Sequence, residues 1–495
     1  MKKNLLEITV FVSGAVVMVF ELAGSRILAP YLGTSLYVWT SIIGVILGSL
    51  SIGYWLGGKF ADKNPSLKQL SIIIFFNGLC IGLTGLAKDP LLTFALPAMR
   101  HFTSLFAVVS SIILFAPASI LAGLVSPYAV RLKIDDLKSS GKTVGNLYAL
   151  STIGSIAGTF FAGFFLIPTF GTSNIVFGLA ITLILLSLLI YRQEFLTQKS
   201  IAIVAFILLI LIPTPLIKPY TRADVIDIDT QYNRLWLQEI IDKKTDKPAL
   251  IMQTDYKGAQ SGRFLDSTEP VFEYMKYYQL AEFFNPGFSK SLMLGGAAYT
   301  FPSYYLEHYP KSFIDVVEID PGMTEVAKKY FQLDDKNPRL GIFHEDGRIF
   351  LNNTQKKYDV IYSDAFASTN IPHQLTTLET AKRLDSVLND NGVVLLNIIS
   401  GIEGKRGKFL RAEIETFKSV FPQVYLFPVQ LPDDGLDMQN VILVASKNSK
   451  KFDFKSSDKQ IQSLLDTLWK KPIDADMPIL TDDFSPVEFY HQQAL

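Results

Sequence analysis

The chain has 495 residues, of which 49% are hydrophobic and 19% charged, below the roughly 25% charged fraction of soluble domains, so a uniformly soluble enzyme is disfavoured. The 46 Lys+Arg and 46 Asp+Glu cancel overall, yet residues 1–217 carry 14 against 7 and the remainder 32 against 39, joining a basic half to an acidic one. The lone Cys80 excludes an internal disulfide framework and a cysteine-based zinc site, no metal site is indicated, and no basic patch or zinc-finger spacing suggests nucleic acid.

In chain order, residues 8–29, 37–57, 69–87 and 102–130 are apolar runs long enough to span roughly 30 Å of hydrocarbon at 1.5 Å per residue. Residues 143–191 are uncharged over a length that needs two spans, broken at 168–171, and residues 201–217 make a shorter seventh. Residues 1–218 are therefore expected to be a polytopic α-helical membrane domain of about seven spans, with the lipid bilayer as its partner and the cell membrane as its location. Glycine rows at Gly44, Gly48, Gly53, Gly57 and at Gly154, Gly158, Gly163 predict close helix packing. Glu21 and Arg26 fall in or near the first span, where a charge costs about 3 kcal/mol and needs a partner, a watery cavity or a route to the interface. They are a candidate membrane site, although five residues of helix set them roughly 140° apart.

The loops bearing Lys59, Lys63 and Lys68, Arg131 to Lys142, and Arg192 and Lys199 fall on one side with Lys2 and Lys3, the cytoplasmic side by the positive-inside rule. Seven spans then place everything after Lys218 outside the cell. A cytosolic substrate places it in the cytoplasm, and the two expectations conflict.

After Pro219 the pattern becomes soluble. DVIDIDT, RLWLQEII and ALIMQT predict a small antiparallel sheet within residues 219–285, which close with a linking helix. Over residues 286–495, SLMLG, FIDVVEID, RLGIFHED, YDVIYSDA and GVVLLNII are apolar strands alternating with helices, which implies a parallel, doubly wound α/β sheet with ligands at the strands' carboxyl ends. Gly295 and Gly296 end the first strand, where a ligand can approach bare backbone. Glu318 ends the second, placed to accept both hydroxyl hydrogens of a ribose. Asp346, followed by Gly347, ends the third, placed to accept from an adenine amino group, and Asp364 ends the fourth, beside the reaction centre. Each acid alone reads more readily as a helix cap; the ordered set reads as a nucleoside site.

GGAAYTFPSYY, DVVEIDP, HEDGRIFL and YDVIYSDAFAS are similar to motifs of spermidine synthases and their membrane-fused relatives, over residues 223–446. FELAGSRILAPYLG, LGSLSIGYWLGGKFAD, SPYAVRL, GNLYALSTIGSIAGTFFAGFFLIPTFG and LTDDFSPVEFY also resemble those fused proteins. The resemblance implies a Rossmann-like, class I methyltransferase-type fold. It implies no prosthetic group, S-adenosylmethionine or its decarboxylated form as cosubstrate, aminopropyl transfer to an amine, and release of methylthioadenosine. It makes Glu318 the ribose ligand, Asp346 the adenine ligand and Asp364 the acid that orients and deprotonates the amine. It sets Asn233 near the sulfonium, and the association common among soluble members points to a homodimer. Two positions depart from the family: Ala298 stands where an acid grips the donor's amine, and Ala367 where the fourth-strand acid repeats.

Asp433, Asp434 and Asp437 could replace the missing acids or form a solvated loop, Asp482 and Asp483 could be caps or ties, and His373 a second acid or base or an exposed loop residue. Alternatives to aminopropyl transfer are intramolecular cyclisation of undecarboxylated S-adenosylmethionine, methyl transfer in the same pocket, and a nucleoside-sensing polyamine transporter.

Overall fold

The computed structural model describes residues 2–33, 35–95, 103–134, 140–191, 225–255, 258–365 and 371–492. The chain divides into two units, Met1–Ala223 and Asp224–Leu495.

The apolar runs of the first unit form helices α1 (Lys2–Leu32), α2 (Leu36–Lys63), α3 (Leu67–Ala95), α4 (Thr103–Lys133), α5 (Ser140–Phe161) and α6 (Thr172–Ile190). A π-helical turn at Ala162–Leu166 prolongs α5 to Thr169. Among the described residues these six are long and apolar enough to cross a membrane. The expected break near 168–171 falls at Phe170 and Gly171, while the expected seventh span, 201–217, lies outside the described residues. Helix α3 continues past the expected end at 87 because its charges neutralise each other: buried Lys88 holds Asp89 at 3.0 Å, and the Tyr31 hydroxyl on α1 donates to Asp89 at 2.9 Å.

Glycines set how closely the helices approach. A Cβ on Gly154 or Gly158 of α5 would lie 2.1 Å from the Phe11 carbonyl or 2.5 Å from that of Ala15 on α1, and one on Gly53 of α2 would lie 2.3 Å from the Ile120 carbonyl on α4. Gly57 is also confined, less tightly, with Leu124 Cα 2.9 Å from a Cβ there. Gly44, Gly48 and Gly163 do not pack as expected: nothing lies within 4 Å of a Cβ there, and at 100° per residue Gly48 is roughly 140° around α2 from Gly53. Two of the expected basic residues share one end, where Lys133 at the end of α4 pairs with Glu7 at the start of α1, and Arg131 with Asp62 at the end of α2 at 3.2 Å; Lys138, Arg192 and Lys199 lie outside the described residues.

The second unit opens with an antiparallel meander of β1 (Val225–Asp229), β2 (Arg234–Ile241), β3 (Pro248–Gln253) and β4 (Ala259–Phe264). A short helical stretch, α7 (273–284), leads into β5 (Lys290–Leu294), α8 (Thr300–His308), β6 (Phe313–Val317), α9 (Pro321–Tyr330), β7 (Leu340–Phe343), α10 (Gly347–Asn353) and β8 (Tyr358–Ser363). Then come α11 (Leu378–Val387), β9 (Leu388–Ser400), α12 (Lys408–Lys418), β10 (Gln423–Pro428), β11 (Gln439–Ser446), α13 (Lys459–Leu465) and α14 (Val487–Gln492).

The large sheet has the order β10-β11-β9-β8-β5-β6-β7, a Rossmann-like, methyltransferase-type arrangement. The expected all-parallel sheet is corrected at one edge. Residues 429–438 turn β10 straight back without a crossover helix, so β11 runs antiparallel to both β10 and β9. Its strands are apolar on both faces because separate cores cover each side. Strand order reverses at β5, which pairs with β6 on one side and β8 on the other, and ligand crevices of such sheets open at that reversal.

Candidate active site

Register aligns the strand ends. Val317, Leu294, Ser363 and Leu396 lie side by side across β6, β5, β8 and β9, so the next residues, Glu318, Gly295, Asp364 and Asn397, form one row on the same face. The ladder continues into it: Gly295 N donates to the Val317 carbonyl and Asp364 N to that of Leu294, each at 2.9 Å.

The loop after β5 is tightly constrained. Gly295 has φ +89°, and a Cβ there would lie 2.5 Å from the Asp364 carbonyl oxygen, so only glycine fits between these strand ends. Ala297 and Tyr299 also have positive φ, +45° and +56°, a conformation that side chains disfavour. Glu318 holds this loop. Its Oε2 accepts from the N–H groups of Gly296 and Ala297, both at 2.9 Å, and its Oε1 from Asp320 N at 3.0 Å. Burial raises the Glu318 carboxyl above its ordinary pKa, against these three donors.

Asp364 sits between two kinds of donor. Oδ2 accepts from the Tyr274 hydroxyl at 3.0 Å and Oδ1 from Asn397 Nδ2 at 2.9 Å. The Tyr278 hydroxyl, one helical turn beyond Tyr274, is buried without a hydrogen bond of ordinary geometry and adds to the field around Asp364. Burial raises the Asp364 carboxyl, opposed by bonds from Asn397 and Tyr274. Burial and the neighbouring carboxylate push both tyrosine hydroxyls well above their ordinary range, which keeps them donors.

Asp346 caps α10, its Oδ1 accepting from Arg348 N and Ile349 N at 2.8 and 3.1 Å, while Oδ2 receives Gln374 Nε2 at 3.2 Å. Gly347 meets its nearest neighbours at 3.6 Å, so packing within the chain does not demand glycine there. Asn233, in the β1–β2 turn, donates to Asp320 Oδ2 at 2.8 Å; Asp320 caps α9, so Asn233 ties the small sheet to that helix. Ala298 is fully buried in an apolar cluster with Leu235, Leu237, Met252 and Met323. Ala367 lies outside the described residues.

Among the other acids, Asp434 caps the turn at Leu436 N, Asp437 pairs with Arg406, and Asp482 ties Thr377 to Arg348, while His373 is exposed. In the helical unit Glu21 and Arg26 are half-buried and make no ion pair with each other; Glu21 has no hydrogen bond or ion pair among the described residues.

Sequence reasoning passed over Tyr274, Tyr278 and Asn397. The signal for Asn397 was a lone polar residue inside GVVLLNIIS, and for the tyrosines their i, i+4 spacing in YMKYY. Ile319, next to Glu318, and Ile349, in the first turn of α10 after Asp346, stand 40% and 50% exposed.

Residues 279–456 match the family model for the spermine/spermidine synthase domain. Those residues of the second unit form a spermidine synthase-like domain. The chain is 30% identical over 161 residues to a polyamine aminopropyltransferase of Vibrio vulnificus, covering 32% of this chain and 52% of that protein, so it spans about half the length of that relative. A polyamine aminopropyltransferase of Leptospira interrogans is 24% identical over 377 residues, covering 72% of each chain. That alignment is longer than the spermidine synthase-like unit and therefore reaches into the helical one. The solved spermidine synthase of Thermotoga maritima aligns with a TM-score of 0.38 at 18% identity, covering 50% of this chain and 85% of that one.

Proposed function

We propose that the second unit binds a sulfonium nucleoside, S-adenosylmethionine or its decarboxylated form, and transfers its three-carbon arm to an amine with release of methylthioadenosine. The observation that carries this reading is the row Glu318, Gly295, Asp364 and Asn397 at the point where strand order reverses. Two strand spacings, roughly 10 Å, separate the Glu318 and Asp364 positions, room for a ribose and its sulfur. Gly295 and Gly296 leave backbone open to the sugar, Asp346 Oδ2 faces the base edge, and Ile319 and Ile349 cover its flat sides. An alkyl ammonium has a pKa near 10.4 and carries no lone pair at neutral pH. Asp364 takes its proton, the amine nitrogen attacks the carbon beside the sulfonium, and the C–S bond breaks with its electron pair moving to sulfur, leaving a neutral thioether.

One observation favours a second reading. Ala298, buried among apolar side chains, offers no charge to a donor's ammonium. Undecarboxylated S-adenosylmethionine can instead react with itself, its carboxylate oxygen displacing the thioether to leave methylthioadenosine and a lactone, with no proton to remove. Purified full-length protein incubated with each nucleoside, with and without putrescine, separates the readings by product. Methylthioadenosine that requires putrescine supports transfer, the same product without an amine supports cyclisation, S-adenosylhomocysteine indicates methyl transfer, and no nucleoside product under any condition defeats all three.

The helical unit anchors the enzyme in a bilayer. Six spans return the chain at Tyr191 to the side where it began, and the basic end at Lys59, Arg131 and Lys133 makes that side cytoplasmic. With six crossings substrate supply and the charge rule agree; residues 201–217 decide whether a further crossing intervenes. Labelling of cysteines placed at exposed positions of the second unit in intact cells tests this, and reaction with an impermeant reagent would put the active site outside.

A further inference from the structure

The two oxygens of Asp364 have different surroundings. Oδ2 faces the Tyr274 hydroxyl. Behind Oδ1 stands a run of three side-chain amides: Asn397 Nδ2 donates to Oδ1 at 2.9 Å, Asn440 Nδ2 donates to Asn397 Oδ1 at 2.9 Å, and Gln430 Nε2 donates to Asn440 Oδ1 at 3.0 Å. The run closes on backbone, where Asn440 N donates to Gln430 Oε1 at 2.9 Å.

An amide side chain can be turned end for end, so its polarity is ordinarily a choice among networks. Here the backbone makes the choice. A peptide N–H can only donate, so Gln430 must show Asn440 N its oxygen and therefore points its nitrogen at Asn440 Oδ1. Asn440 then shows nitrogen to Asn397, and Asn397 shows nitrogen to Asp364. Reversing any member sets donor against donor, which is costly at the part-buried bonds from Asn440 to Asn397 and from Asn397 to Asp364 and cheaper at exposed Gln430.

We infer that Gln430, Asn440 and Asn397 form an amide relay of fixed polarity that keeps Asp364 Oδ1 a permanent acceptor and reserves Oδ2, beside Tyr274, as the atom that takes the substrate's proton. This rests on the reading of Asp364 as the base. The proton leaves the attacking nitrogen for Oδ2, and the Tyr274 hydroxyl rotates to accept from the new O–H. The titratable groups facing Asp364 among the described residues are Tyr274 and Tyr278, both held protonated; β9 contributes the neutral Asn397 and the β5 loop only backbone. The three amides are positioning residues and touch no substrate.

The test is Asn440→Asp in the full-length protein, which exchanges an amide nitrogen for a carboxylate oxygen two residues removed from Asp364. Asn397 must then turn its nitrogen toward position 440 and its oxygen toward Asp364, which forces a proton onto Oδ1. Expected are a kcat lowered about tenfold, a KM for the nucleoside changed less than about threefold, and an acid limb of the pH–rate profile moved up by about one unit. Gln430→Glu, at the exposed end of the relay, produces the same changes by the same reversal and serves if the first variant misfolds. Asp364 is also titrated directly by carbonyl carbon NMR, which needs no turnover, so a wild type that makes no methylthioadenosine defeats the proposed function and leaves the relay measurable. A folded variant whose Asp364 titration matches the wild type overturns the relay.

Discussion

Glu318 Oε2 and the backbone N–H of Gly296 lie 2.9 Å apart, and the same oxygen takes the N–H of Ala297. The acid at the end of β6 thus holds the glycine loop at the end of β5. A carboxylate has about four acceptor sites, and three are used by backbone, so one remains for a ligand hydroxyl. Glu318→Gln must place an amide N–H against either Asp320 N or the loop amides. The expected outcome is a loss of about 1–3 kcal/mol in stability and at least tenfold weaker methylthioadenosine binding, read by thermal unfolding and calorimetric titration of the full-length protein.

Asp364→Asn keeps the shape of the side chain and removes the base. Amine-dependent release of methylthioadenosine should fall about 10²–10⁴-fold, whereas lactone formation by the substrate's own carboxylate should survive. Burial raises the pKa of Asp364, so its carboxylate is protonated at a higher pH than an ordinary aspartate. The wild-type rate should therefore fall on the acid side at a higher pH than an unperturbed aspartate would give. A profile flat down to pH 4 would remove Asp364 from the base's role.

Two glycines of the candidate site make opposite predictions. Gly295→Ala puts a methyl 2.5 Å from the Asp364 carbonyl in a left-handed conformation, while Gly347→Ala meets nothing closer than 3.6 Å. The first should cost on the order of 2–4 kcal/mol and abolish turnover. The second should leave stability within about 1 kcal/mol, and any loss of nucleoside affinity it causes would report a ligand passing close to Gly347.

Glu413 on α12 is fully buried, and neither carboxyl oxygen has a hydrogen-bond partner among the described residues. Burial pushes its folded-state pKa well above 4.5, so the fold binds its proton more tightly than the unfolded chain does. Its contribution is complete below the ordinary carboxylate pKa and is lost as pH rises through the folded value. Glu413→Met should raise stability by about 1–4 kcal/mol at pH 8 and by less at pH 5, measured by chemical unfolding across that range. An equal effect at both pH values would show that Glu413 does not change charge on unfolding.

In the helical unit, Gly154→Leu drives a side chain into the Phe11 carbonyl of α1 and should lower the thermal midpoint of detergent-solubilised protein by several degrees or prevent its recovery. Gly44→Leu, which faces open space, should change it little.

The amino-acid sequence by itself determined six long apolar helices, the break at Gly171 and the order of glycine and acid at successive strand ends. Span length and alternation are local properties, legible one window at a time. It also marked Gly53, Gly57, Gly154 and Gly158, although Gly44, Gly48 and Gly163 looked the same, because only the partner helix decides which side of α2 or α5 is crowded. Tertiary structure alone decided what each acid touches. Asp346 and Asp320 are caps, Glu318 grips the loop beside it, and Asp364 meets Tyr274 from 90 residues earlier and Asn397 from 33 residues later. Those meetings come from sheet register, which sets Val317, Leu294, Ser363 and Leu396 level with one another, and register depends on packing across the whole sheet.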